Sequence, residues 1–205
     1  MKPNNYTGIL PEQYTGKEII AESLCPCKSK NEAQQLYKQS KERLLDVDHW
    51  KDLLGLISAD FCVMYPNGIA TGKPVTKGNL LRVDIPGPGS SSGDGYDWVM
   101  VEALEEFEEE DIQSIAFRVR PTFNPKGATE NIAHFYDHEA TSTFIVTRNS
   151  NTVYSTIVDR NIKPNTDTNS IVDTLRNLPV AIGAIGLLSK LQWKSLAEGL
   201  LTSEP

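Results

Sequence analysis

The sequence predicts an α+β fold: N-terminal helices, a central antiparallel sheet or small curled barrel, and C-terminal helices packed on the sheet. Three observations carry this reading. Apolar residues recur at helical spacing within 30–57 and again within 167–201. Between these segments, over 59–158, the period changes to two and the turns become rich in Gly and Pro. Short strands joined by such turns pair antiparallel and need helices to cover one face.

The 205 residues divide into an arm, 1–28, and one α+β domain, 29–205. A chain of this length buries roughly 70% of its unfolded surface, so its core needs neither disulfide nor metal. Hydrophobic residues at 39% and charged residues at 23% are ordinary for a globular protein. The net charge of −7 excludes the usual nucleic-acid partner, because phosphate contacts need concentrated Lys and Arg. The segment MKPNNYTGILPEQY has no apolar stretch of the kind a secretory leader needs. The longest apolar run, Leu178 to Leu188, is about half the roughly 20 residues of a membrane span. Three cysteines, an odd number, fit reduced thiols and a cytoplasmic location.

Taken in order, the arm contains Pro3, Pro11 and Pro26, with one helical turn expected at Glu18–Ser23. Ser29-Lys30-Asn31-Glu32 has the form of a capping box and opens a helix over 30–45, with Ala33, Leu36, Tyr37 and Leu44 on one stripe. Asp46 or Asp48 is placed to cap a second helix bearing Trp50, Leu53, Leu54 and Ile57, with His49 exposed in its first turn. Phe61–Tyr65 is a strand, and Pro66-Asn67-Gly68 a tight turn. Further strands are expected near 79–85, 96–104, 112–120, 142–148 and 152–158, the last two joined by Asn149-Ser150-Asn151. Thr166 or Thr168 is placed to cap a helix through Ile171, Leu175 and Leu178, limited by Pro179. Ser189 is placed to cap a last helix bearing Leu191, Leu196, Leu200 and Leu201.

The stretch 80–120 concentrates the candidate sites. Its loop Gly87-Pro88-Gly89-Ser90-Ser91-Ser92-Gly93-Asp94-Gly95 follows a strand, as phosphate-cradling loops do. It opens into strand-like Tyr96-Asp97-Trp98-Val99 rather than a helix, and no Lys follows its last glycine, so a nucleotide site is not expected. The acidic run Glu105–Asp111 lacks the spacing of a calcium loop and reads as a solvated turn. With that turn centred near Glu108, Trp98 falls opposite Arg118 and Val99 opposite Phe117. Alternation then sorts an apolar face (Val99, Val101, Ile115, Phe117, Val119) from a mixed one (Tyr96, Trp98, Met100, Arg118, Arg120). Arginines beside rings suit an anionic or planar ligand or a partner, or a simple structural stack with local acids.

His134 and His138 form an H-x-x-x-H pair, a candidate metal site on a helix capped by Thr129 and running through Ile132, Tyr136 and Ala140. On a strand the pair would stand about 13 Å apart. Cys25-Pro26-Cys27 lacks a second ligand pair, and Cys62 reads as a sheet residue. No nucleophile elbow is present, and the spacing of Asp84, Asp94 and Asp97 does not show that carboxylates converge. No cofactor and no catalytic residue are expected. The leading expectation is a non-enzymatic protein-interaction module, such as a subunit of a larger cytoplasmic assembly, with a protein partner or self-association. It rests on the arm, the long loop and the apolar C-terminus. The alternative is a small-molecule binder or enzyme with a pocket between the sheet and the C-terminal helices, ending in Arg118, Arg120 or the histidines. A third is a metal-dependent hydrolase using His134 and His138.

Overall fold

The structure, a computed structural model, describes residues 3–54, 58–85, 90–128, 130–165 and 179–202; for 179–188 it describes the helical course of the chain and not its side chains. The elements are β1 (Lys17–Pro26), α1 (Lys30–Leu45), α2 (Trp50–Leu54), β2 (Asp60–Met64), β3 (Leu80–Asp84), β4 (Asp97–Glu108), β5 (Ile112–Pro121), β6 (Thr141–Asn149), β7 (Thr152–Ile162) and α3 (Pro179–Leu200). The strands form one open, seven-stranded antiparallel sheet in the order β1-β7-β6-β5-β4-β3-β2. The sheet does not close into a barrel, because β1 and β2 stand at its two edges.

Local chemistry explains most of these elements. The Ser29 hydroxyl accepts the Glu32 N–H at 3.2 Å and caps α1, while Glu32 reaches back to the Lys28 N–H at 2.7 Å. The β6–β7 hairpin turns on Ser150-Asn151, with Ser150 at φ 53°. Gly68, at φ 73°, closes the turn after β2 by donating to the Tyr65 carbonyl.

The inner face of the sheet carries Phe61, Val63, Leu81, Val83, Val99, Val101, Ile115, Phe117, Phe144, Val146, Val153 and Ile157 against Trp50, the apolar stripe of α1 and Leu196, Ala197 and Leu200 of α3. Trp50 is the hub. Its ring lies 4.9 Å from Phe144, 5.3 Å from Phe61 and 6.0 Å from Phe117, and its Nε1 donates to the Arg43 carbonyl. Trp193 of α3 extends this packing edge-on to Phe144, at 5.3 Å. The outer face is covered by the chain itself. Loop 122–140 buries Met64, Leu80 and Trp98 through Ala133, and residues 6–16 cross the face on a series of hydrogen bonds.

Several expectations need correction. Glu18–Ser23 is not a helical turn but the middle of β1, which pairs with β7 from Lys17↔Ile162 to Pro26↔Thr152. Glu and Ala favour helix locally, and the open edge of β7 overrides them. Asp46 does not cap through its side chain. A 3₁₀ turn at Val47–His49 precedes α2, and Asp48 instead accepts the Val63 N–H at 2.6 Å. Ile57 and the predicted helix from Thr166 or Thr168 through Leu178 lie outside the described residues. Ser189 does not cap a separate last helix, because α3 runs unbroken through it. The β4–β5 register also differs from the expected one. The hairpin turns at Glu110-Asp111, and Met100 pairs with Arg120, Val101 with Val119 and Ala103 with Arg118. Glu102 is the extra residue of a bulge.

Candidate functional site

The bulge decides what the predicted aromatic–arginine face does. It turns Glu102 between Arg118 and Arg120, which hold its carboxylate from both sides. Arg118 Nε donates to Oε1, and Arg120 Nε donates to Oε2 at 2.8 Å. Burial pushes the Glu102 carboxyl up, but the two guanidinium groups outweigh it and hold it below the usual range. Arg120 Nη2 also donates to Oε1 at 3.2 Å, and the Nη1 groups reach main-chain oxygens: Arg118 to Ile9, and Arg120 to His138 at 2.8 Å. Trp98 is buried on this face, with its Nε1 3.3 Å from the Gly93 carbonyl, and Tyr96 lies 4.5 Å under the Arg82 guanidinium. All four predicted residues therefore share the outer face, on the opposite side of the sheet from α3.

The glycine loop and the histidine pair also find their places. Pro86–Gly89 lie outside the described residues. The N–H groups of Gly93 and Gly95 donate to the Ser90 carbonyl, and that of Tyr96 to Gly93, so these amides serve the loop itself. Residues 130–140 form no helix, and Thr129, the expected cap, lies outside the described residues. His134 is enclosed, and its Nδ1 accepts the Tyr136 N–H at 2.9 Å. Burial holds its pKa down to about 3, so the ring is neutral. His138 is exposed. Among the described residues, no three side chains of metal-ligating type are grouped. Of the three aspartates singled out in the sequence, Asp84 and Asp94 are exposed and only Asp97 turns inward.

That inward turn leads to a group the sequence reading missed. Along β4 the inner-face phase is Val101, Val99, Asp97; along β7 it is Val153, Ser155, Ile157, Asp159. Both strands thus end their apolar series on a buried acid, at the same end of the sheet. Asp159 Oδ2 accepts Trp193 Nε1 of α3 at 2.7 Å, and Ser142 stands opposite it on β6. Oδ1 has no partner among the described residues. Burial pushes the Asp159 carboxyl up to about 6, against the opposing pull of Ser142 and Trp193. Burial likewise raises Asp97 to about 7, partly offset by the Phe135 N–H. Segment 134–136 ties the two acids together. Phe135 supplies that N–H, and the Tyr136 phenol lies beside Asp159 and Ser189 of α3, its pKa raised by burial and by the Asp159 charge. The inner face is therefore aromatic and filled at one end and polar at the other. The signal for this was present in the sequence, as an acid standing in phase with buried Val and Ile on each of two strands.

A hypothetical protein of Helicobacter pylori, jhp0584, has a similar structure, with a TM-score of 0.51 and 11% identity over 90% of this chain and 88% of that one. The likeness is one of fold. Looser similarity extends to TTHA0849 of Thermus thermophilus (TM-score 0.38, 15% identity, 90% and 94% covered). It extends also to a norcoclaurine synthase mutant of Thalictrum flavum in complex with a transition-state analogue (TM-score 0.34, 12% identity, 91% and 99% covered). No family model and no curated protein matches the chain. No helix among the described residues is long and apolar enough to cross a membrane.

Proposed function

We propose that this protein binds a small molecule between the inner face of its sheet and α3, with Asp159 as the polar anchor. One observation carries the reading: a wholly buried carboxylate with an oxygen left unpartnered among the described residues. Leaving such an oxygen dry and unbonded costs about 1–3 kcal/mol, which a ligand donor recovers. Tyr136, Ser142 and Ser189 stand ready to orient a polar group, and the half-buried Trp193 offers its indole for an apolar body. The motives for a pure interaction module are weaker in the fold than in the sequence. The arm is bonded to its own sheet, Ser90–Gly95 packs under Trp98, and Leu196, Ala197 and Leu200 of α3 are spent on the core. The test is a fragment screen read on the Trp193 indole signal by NMR. Binding fragments shift that signal in the native protein and not in Asp159→Leu. A screen in which no fragment moves it removes the proposal.

A second reading, an interaction module, keeps one support: Tyr65, Ile69, Met100 and Phe123 are apolar and between 39% and 57% exposed. A strict monomer by light scattering, with no partner recovered on an affinity column, counts against it. The acidic balance and the free thiols of Cys25, Cys27 and Cys62 support a cytoplasmic setting under either reading.

A further inference from the structure

We infer that the ligand taken at Asp159 is a cation, a protonated amine on a ring-bearing apolar body. The inference rests on the binding proposal above and adds the class of ligand.

The first support is that Asp159 has no counter-charge among the described residues. Its protein partners, the Trp193 indole N–H and the Ser142 hydroxyl, are neutral. Cations near it in the chain are engaged elsewhere: Arg160 with Glu18 at 2.7 Å, Lys163 with Glu139 at 2.8 Å and Lys194 with Glu198 at 3.2 Å. Arg160 also alternates with Asp159 along β7 and so faces the other side of the sheet. The stretch of α3 that runs N-terminal from Ser189, Pro179 to Leu188, contains no ionisable residue. A buried carboxylate without a cation is costly, and proteins normally pair such charges.

The second support is the shape of what surrounds it. The Trp193 indole lies against the carboxylate through its N–H, and the Tyr136 ring closes in from segment 134–136. Ring faces attract an ammonium and an apolar body together. An ammonium donates to the unpartnered Oδ1 and supplies the missing charge at once. An alcohol supplies only the hydrogen bond.

The experiment compares 3-phenylpropylamine, 3-phenylpropanol and 3-phenylpropionate on the native full chain at neutral pH, following the Trp193 indole signal. The amine is expected to bind at least about tenfold more tightly than the alcohol, with the carboxylate weakest, in line with the extra strength of charge-assisted hydrogen bonds. Asp159→Asn is expected to bring the amine down to the level of the alcohol. An alcohol that binds as well as the amine overturns the inference and leaves the binding proposal standing. Silence from all three probes and from the fragment screen overturns both. The native comparison decides the matter even where Asp159→Asn does not fold.

Discussion

Asp97 pairs with Val83 across β3–β4, in phase with the core, and its carboxyl accepts a single main-chain N–H, from Phe135. Desolvation therefore favours its neutral form, with a folded pKa of about 7 against an unfolded value near 3.9. Between these two values the folded chain binds more protons than the unfolded one, so stability falls as pH rises. The stabilising contribution is complete below about pH 4 and lost through about pH 7. Asp97→Asn keeps an acceptor for Phe135 without the charge. Urea midpoints should place the variant above the native protein at pH 8, by roughly 1–3 kcal/mol, and level with it at pH 4. Parallel behaviour of the two proteins across this range would show that Asp97 is solvated. Glu102 carries the opposite sign, since its two arginines hold its pKa down. Glu102→Ala leaves Arg118 and Arg120 with main-chain oxygens alone, and a loss of about 1–3 kcal/mol is expected at pH 7. That loss should shrink as the native Glu102 is protonated in acid, which the same urea series measures.

Elements were legible in the sequence where one local rule governed them. The capping box at Ser29–Glu32, the hairpin at Ser150-Asn151 and the turn at Gly68 each follow from a few adjacent residues. β1 was not legible, because KEIIAESLCP has helical composition and becomes a strand only through the free edge of β7. The β4–β5 register was missed for a related reason. A tight turn at Glu110-Asp111 and a bulge at Glu102 together shift the pairing, and nothing in a run of acidic residues marks which one stands extra. The Asp159 group was half legible: strand phase pointed both acids inward, but their meeting through segment 134–136 depends on a loop that no periodicity describes. The unbroken α3 shows the same limit. Its docking depends on Gly199, where an added Cβ would stand 2.8 Å from Leu53 Cβ and 2.9 Å from the Leu53 carbonyl oxygen. Helix propensity alone says that Gly199→Ala should stabilise by up to about 1 kcal/mol. The contact with the α2 backbone reverses the sign, and a net loss of about 1–2 kcal/mol is expected from thermal or urea unfolding. A more stable variant would mean that α3 can lift from α2 without cost.

Across the whole molecule the sheet works as one surface with two unlike ends. At one end Trp50, Phe61, Phe117, Phe144 and Trp193 form a continuous ring cluster, closed by α1, α2 and the last turns of α3. At the other, the core gives way to Asp97, Tyr136, Ser142 and Asp159, and main-chain bonds tie the sheet to loops: Trp98 N–H to Ala133, Asp137 N–H to Lys163 and Asn165 N–H to Phe135, at 2.8, 3.0 and 2.8 Å. Burial of rings resists opening; burial of acids favours it, because opening rehydrates the charge. Native-state hydrogen exchange at pH 7 should therefore separate the two ends. Amides around Phe117 and Phe144 should exchange only through global unfolding, while Trp98, Asp137 and Asn165 exchange through local opening, faster by about a hundredfold or more. Asp97→Asn should slow the second group and leave the first tied to global stability, since it removes a charge only the opened end can hydrate. A ligand held at Asp159 should slow the same three amides. Uniform exchange at both ends would mean that the acids are carried by the core as a rigid part of it, and a ligand would then have to enter without the polar end opening.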